Sequence, residues 1–169
     1  MITKPEVGSY PSYFEPYIQL VEGDVLKHLK NQRKQMKHLL ANVQDLNYRY
    51  GPDKWSIKQV IRHLIDTERV FSYRAMCISR GEKGPLPAFD HNAYAEVKVD
   101  HLDSKKLWKE YNALRKSSIL LFKNMDESML QKMGTASGKT IIVSALPYMI
   151  VGHQMHHFNI LKERYNIHG

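Results

Sequence analysis

Four long segments of this sequence repeat apolar side chains at intervals of three and four residues, and that period constrains the fold more than any other feature. A sheet needs alternation with period two, and only the β-branched run "TIIV" offers a strand signal. The first segment runs from about Asp24 to Val43, with Val25, Leu29, Gln32, Met36, Leu39 and Val43 on one stripe. The break "YGPDKW" follows. The second opens on "SIKQ", a capping box in which Ser56 caps the helix and Gln59 reaches back to it. Its stripe is Val60, His63, Leu64, Thr67, Val70, Phe71 and Arg74, and Gly81 supplies the stop. The third begins near Asp103-Ser104 and carries Leu107, Tyr111, Leu114, Ser118, Leu121 and Met125. Next, "DESML" reads as a short helical turn and "GTASG" as a loop. Ser144 is the expected N-cap of the fourth helix, with Pro147 in the first turn, where proline is tolerated.

These segments predict an all-α fold, a four-helix bundle with a long crossover between its second and third helices. The crossover, "GEKGPLPAFDHNAYAEVKVDH", has a length that often marks a functional loop. With 169 residues and no internal linker or repeat, residues 1–169 are expected to form one domain. The first twenty residues lack an apolar leader core, so no leader is expected. The longest apolar run, 141–151, is well short of the roughly 20 residues needed to span a bilayer. The one cysteine, Cys77, has no internal disulfide partner, which fits a reducing cytoplasm.

The formal charge of +8 would draw anionic ligands or nucleic acid. Lys27, Lys30, Lys34 and Lys37 form a basic stripe on the first helix without interleaved aromatics. A solvated face is the expectation there, and no nucleic-acid partner. "GTASGKT" has one residue too few between its glycines for a phosphate loop and lacks a strong preceding strand.

The last helix contains "GHQMHHFNILKERY". His153 and His157 lie about 40° apart and about 6 Å apart along a helix, so one metal ion can bridge both rings. His156 points partly away. Nine histidines in 169 residues make one such pair unsurprising, and hydrogen-bonded histidines would explain it equally well. His63 adds weight, because it sits on the apolar stripe of the second helix, where a lone imidazole needs a partner. Should the two helices face each other, three neutral nitrogens would meet and leave positions open for water or substrate.

The stretches "KWSIKQVIRHLIDTERVFSYRA", "PLPAFD" and "YMIVGHQMHHFNILKERY" together resemble the DinB/YfiT-like family of metal-binding four-helix bundles. The resemblance covers nearly the whole chain in order and spacing. It implies His63, His153 and His157 as ligands of a single divalent ion such as nickel or zinc. It also implies transfer or isomerisation chemistry with a small external thiol (bacillithiol, mycothiol or glutathione), a small-molecule substrate and a homodimer. Two alternatives stay open: a hydrolase using metal-bound water, and a non-catalytic metal-binding stress or interaction protein.

Other side chains near this pattern are weaker candidates. Asp66 and Thr67 lie about 60° and 40° from His63 around the helix and are placed to orient its ring. The bland reading has Asp66 solvated and Thr67 simply packed. Glu68 faces elsewhere and is expected in a salt bridge or helix contact. Arg74, about 16 Å along the helix from His63, either holds a carboxylate or phosphate or pairs with a bundle acid. Asp90 and His91 in the crossover are candidates to cover the metal or act as a base, or are simple surface groups. Cys77, about 21 Å from His63, is too far to share the ion. A thiol mechanism would therefore need an external thiol.

Overall fold

The computed structural model describes residues 1–167. Its four long helices are α2 (Val25–Asn42), α3 (Ile57–Ser79), α5 (Ser104–Lys123) and α7 (Ala145–Tyr165). Asp24 caps α2 by accepting from Leu26 N at 2.9 Å, and Asp103 caps α5 by accepting from Lys106 N at 2.8 Å. The capping box of α3 is complete: Gln59 N donates to Ser56 Oγ, and Ser56 N donates to Gln59 Oε1. At its other end Gly81, with φ of +91°, closes a Schellman turn. Gly81 N donates to Ile78 O, and Glu82 N donates to Cys77 O. The short helix α6 (Glu127–Leu130) follows α5 as expected.

Ser144 stands at the N-cap position of α7 as expected, but its side chain makes no capping hydrogen bond; its backbone N–H donates to Leu130 O. Two local readings need correction. The "GTASG" segment is not a loop but half of a hairpin, β1 (Met133–Ala136) paired antiparallel with β2 (Lys139–Ile142). Its connection is Ser137 and Gly138, both at positive φ (52° and 70°), the backbone of a two-residue primed turn. Finally, the N-terminal segment forms a 3-10 turn (Ser12–Phe14) and a short helix α1 (Glu15–Gln19) that the periodicity does not announce.

The packing order positions the site. Helix α2 packs against α5 and α7, and so does α3, so the consecutive helices α2 and α3 lie on a diagonal. Residues 43–56 therefore cross the end of the bundle. As a result α3 and α7 are neighbours, and they run antiparallel: Tyr165 near the end of α7 donates to Trp55 O just ahead of α3. The crossover carries a short helix, α4 (His91–Glu96), capped by Asp90, and its Leu86 bridges to Ala136 of the hairpin.

Two apolar clusters fill the interior, one around Leu29, Phe71 and Met149, the other around Met36, Ile61, Leu107 and Leu161. Between them lies a buried polar layer to which all four long helices contribute. Arg115 of α5 makes a two-point ion pair with Glu68 of α3 at 2.9 Å. It also donates to Leu29 O and Gln32 Oε1 of α2 and, at 2.7 Å, to Gln154 Oε1 of α7. Tyr111 donates to the same Gln154 oxygen. Glu68 is thus in a buried ion pair, as expected.

The short helix α1 reaches α7 at Gly152. A Cβ there would stand 2.0 Å from Tyr17 O. Alanine would add about 1 kcal/mol of helix propensity, but the backbone clash outweighs it at about 1–3 kcal/mol or more. Gly152→Ala is expected to lower the thermal midpoint by several degrees and to expose the N-terminal segment to protease. An unchanged midpoint and protection pattern would show that α1 does not rest on α7 in this way.

Candidate metal centre

His63 sits in the second turn of α3, on the face turned towards α7, because its position belongs to the same stripe as Val60, Leu64 and Thr67. His153 and His157 are one turn apart on α7 and face back. The diagonal packing brings them together: His63 Nε2 and His157 Nε2 each stand 3.0 Å from His153 Nε2. Ligand atoms of all three residues lie within 4.8 Å of one another. Two nitrogens bound to a dication at about 2.0–2.1 Å sit roughly 3 Å apart, so the spacing fits such an ion. Among the described residues, no carboxylate belongs to the cluster.

Electrostatics favours the neutral rings that metal binding requires. Burial pushes His63 down to about 4, with His91 adding to the shift. Burial, helped by repulsion from His63, His156 and His91, takes His157 to about 3. His153 is buried deepest and is lowered well below its ordinary value by burial, then by His157 and His63.

The sign of the resulting pH dependence follows directly. The unfolded chain takes up protons near the ordinary value of about 6.5, whereas the folded, metal-free protein resists them. Stability is full above that value and is lost as pH falls towards the folded values, by about 3 kcal/mol for His63 alone. Thermal melts of chelator-treated protein between pH 7.5 and 4.5 should show this fall, and His63→Leu should flatten it. Parallel profiles for the two proteins would contradict the burial of a neutral ring.

Around the cluster, Thr67 Oγ1 is 3.5 Å from His63 Nδ1, a long contact on the side away from His153. With Nε2 free as a ligand, Nδ1–H points at that hydroxyl, so Thr67 is the one of the two helper candidates that reaches the ring. Asp66 does not. It pairs with Arg62 at 3.2 Å and Arg69 at 3.6 Å, and Glu110 of α5 takes both arginines from the other side.

His91, the first residue of α4, lies beside the cluster, its ring centroid 5.8 Å from that of His63. Asp90 is engaged in capping α4 through Asn92 N and Ala93 N. Arg74 meets neither an acid nor the cleft. It donates to Pro87 O at 2.9 Å and Ser137 Oγ at 2.7 Å and stacks over Phe89, tying the crossover to the hairpin. His156 stands outside the cluster against Tyr17, ring centroids 5.1 Å apart. Cys77 packs, half-buried, against the apolar cluster around Phe71.

Sequence reasoning missed two aromatic neighbours. Trp55 lies 4.9 Å from the His63 ring, and Tyr17 lies 5.8 Å from His153. Trp55 was within reach of inference, since it directly precedes the capping box that places His63. Tyr17 depends on the close approach at Gly152. Trp55 and His157 line a cleft of about 210 Å³ together with Tyr50, Asp53, Lys54, Ile160 and Tyr165, so the opening reaches one of the three histidines, His157.

The family model of the DinB superfamily matches residues 24–161, which include α2, α3, α5 and all three histidines. The chain belongs to the DinB superfamily. Among solved structures, this DinB-superfamily chain is similar to YfiT from Bacillus subtilis, described as a probable metal-dependent hydrolase with an unusual four-helix bundle topology. The TM-score is 0.73 at 18% identity, covering 98% of this chain and 95% of YfiT. It is also similar to the mycothiol-dependent maleylpyruvate isomerase, with a TM-score of 0.67 at 14% identity. That match covers 83% of this chain but 60% of the isomerase, so this chain spans about three-fifths of that protein. At these identities the likeness shows the fold, the four-helix bundle expected from the sequence. No curated protein matches the sequence. Among the described residues, no helix is long and apolar enough to cross a membrane.

Proposed function

We propose that His63, His153 and His157 hold one divalent ion, nickel or zinc, and that the protein is an enzyme activating a small thiol for transfer to an electrophile. The observation that carries this reading is the convergence of three Nε2 atoms beside a cleft that His157 lines, with no fourth protein ligand in the set among the described residues. A site that leaves positions free is the arrangement of catalytic metal centres, whereas structural ones are closed. When bound, such an ion lowers the pKa of a thiol or of water at its open position and polarises a substrate oxygen. The thiol is external, because Cys77 packs among core residues away from the histidines. The likeness to a mycothiol-dependent isomerase supports a thiol as co-substrate.

The chain's own groups then divide the work. Thr67 orients His63 through Nδ1. Trp55, Tyr50 and Tyr165 shed water from the cleft and hold an apolar portion of the substrate. His91, on the adjoining helix, is placed to take up the proton released when a thiol ionises.

A metal-dependent hydrolase is the second reading, favoured by the likeness to YfiT. Zinc- or nickel-loaded protein incubated with a low-molecular-weight thiol and an aromatic electrophile tests both. Thiol consumption that requires metal and is lost in His153→Ala supports transfer. Ester or amide cleavage that requires metal but no thiol supports the hydrolase instead. Equal rates for loaded and chelator-treated protein contradict both.

A further inference from the structure

The edge of the bundle opposite the histidines is formed by α2 and α5. Helix α2 contains no acidic residue, and its exposed side carries Lys27, Lys30, Lys34 and Lys37, with Arg33 half-buried beside them. Helix α5 answers with Lys105, Lys109 and Lys116, all exposed. Its one acid, Glu110, faces away and is engaged by Arg62 and Arg69 of α3. Among the described residues, none of these lysines has a carboxylate within ion-pair distance.

A single-helix view makes this a solvated face, because no aromatic interrupts the lysines of α2. The fold changes that. Trp108 of α5, half-buried, comes to lie against the lysines of its neighbour. With Arg33, Lys34, Lys37 and Asn112 it lines a groove of about 210 Å³ between the two helices. Arg33 Nη1 donates to Asn112 Oδ1 at 3.3 Å, which fixes the guanidinium beside the indole and leaves its other donors available. The groove thus combines an aromatic wall, an amide and three cations.

We propose that this α2–α5 face binds single-stranded nucleic acid, one base against Trp108 and its phosphates on the flanking lysines. Stacking on an aromatic together with a basic track is the recognition chemistry of single strands. The cations continue beyond the groove: Lys27 to Lys37 spans about 15 Å of helix axis, enough for a short strand and more than a mononucleotide uses. A paired duplex would keep its bases stacked away from the indole. The site shares no residue with the metal centre, so the two stand or fall separately.

The test is a titration of fluorescein-labelled oligo(dT) of about ten nucleotides with metal-loaded protein at low ionic strength, read by anisotropy and by tryptophan emission. Binding is expected with quenched emission, and with a salt slope of about −3, the value for about four phosphates on a single strand. Trp108→Leu, which keeps an apolar side chain at the position, should weaken binding about tenfold or more and abolish the quench. Lys34→Glu/Lys37→Glu changes only exposed residues and should remove binding while metal content and thermal midpoint stay as in the wild type. Absence of binding at low salt overturns the proposal. So does binding that survives Trp108→Leu undiminished, which is attraction to a polycation only, or equal affinity for a duplex or for thymidine monophosphate.

Discussion

Arg115→Met should destabilise the protein by about 3–5 kcal/mol, the cost of leaving a buried carboxylate without its partner. Arg115 and Glu68 are 1% and 2% exposed, so water cannot replace the guanidinium. Five donors of Arg115 satisfy groups on three other helices, and methionine supplies none of them. Methionine fills much of the volume, so the loss is electrostatic rather than a cavity. The measurement is urea unfolding of both proteins. The double variant Arg115→Met/Glu68→Leu should recover part of the loss, because removing both charges together avoids the orphaned one. If the single variant falls by less than about 1 kcal/mol, the exposed-pair range, the network is not closed to solvent as described. Because Gln154 adjoins His153 in sequence, the single variant is also expected to loosen the metal site.

The second large effect concerns the histidines themselves. His157→Ala should reduce affinity for zinc by more than the about 10–100-fold that loss of an orienting partner costs, since on the proposed assignment a ligand itself is removed. The bundle should still fold, because His157 is only half-buried and the core of α7 lies in residues such as Met149, Val151 and Leu161. His156→Ala, one position away, should bind zinc as the wild type does, because its ring packs on Tyr17 outside the cluster. Competition with a chromophoric chelator distinguishes the two variants. The reverse order of affinities would mean that the wrong neighbour has been assigned.

How much of this was legible beforehand depends on the range of the signal. The capping box at Ser56, the long helical spans and the α-carbon spacing of His153 and His157 are local, and each appears in the structure close to where the sequence puts it. The meeting of His63 with that pair is not local. It requires α3 and α7 to be neighbours, which follows from the diagonal course of residues 43–56 and from nothing in the periodicity. Arg115 is an intermediate case: four residues after Tyr111 and three before Ser118, it lies on the buried stripe of α5, a signal that was present but outweighed by its charge. Glu68 was readable as paired, yet its partner was not.

The hairpin was hidden because Gly134 and Ala136 have little strand preference. Its turn signal, Ser137-Gly138, reads equally well as a loop. Gly134 also lies against Ile78 of α3, where a Cβ would come within 2.6 Å, so a larger strand former was not available there. Of the two readings of Arg74, pairing with a bundle acid is not what the structure shows: it meets a backbone carbonyl and a hydroxyl on segments whose contact with α3 is tertiary and so not readable locally.

The central claim is that three histidines from two antiparallel helices hold one metal ion. The most direct measurement is elemental analysis of purified, zinc-equilibrated and dialysed protein beside His63→Ala, with circular dichroism to show that both are folded. About one ion per chain in the wild type and little in the variant is the expected result. A wild type that retains no zinc or nickel, or a variant that retains as much as the wild type, would contradict it and leave the cluster as three structural imidazoles.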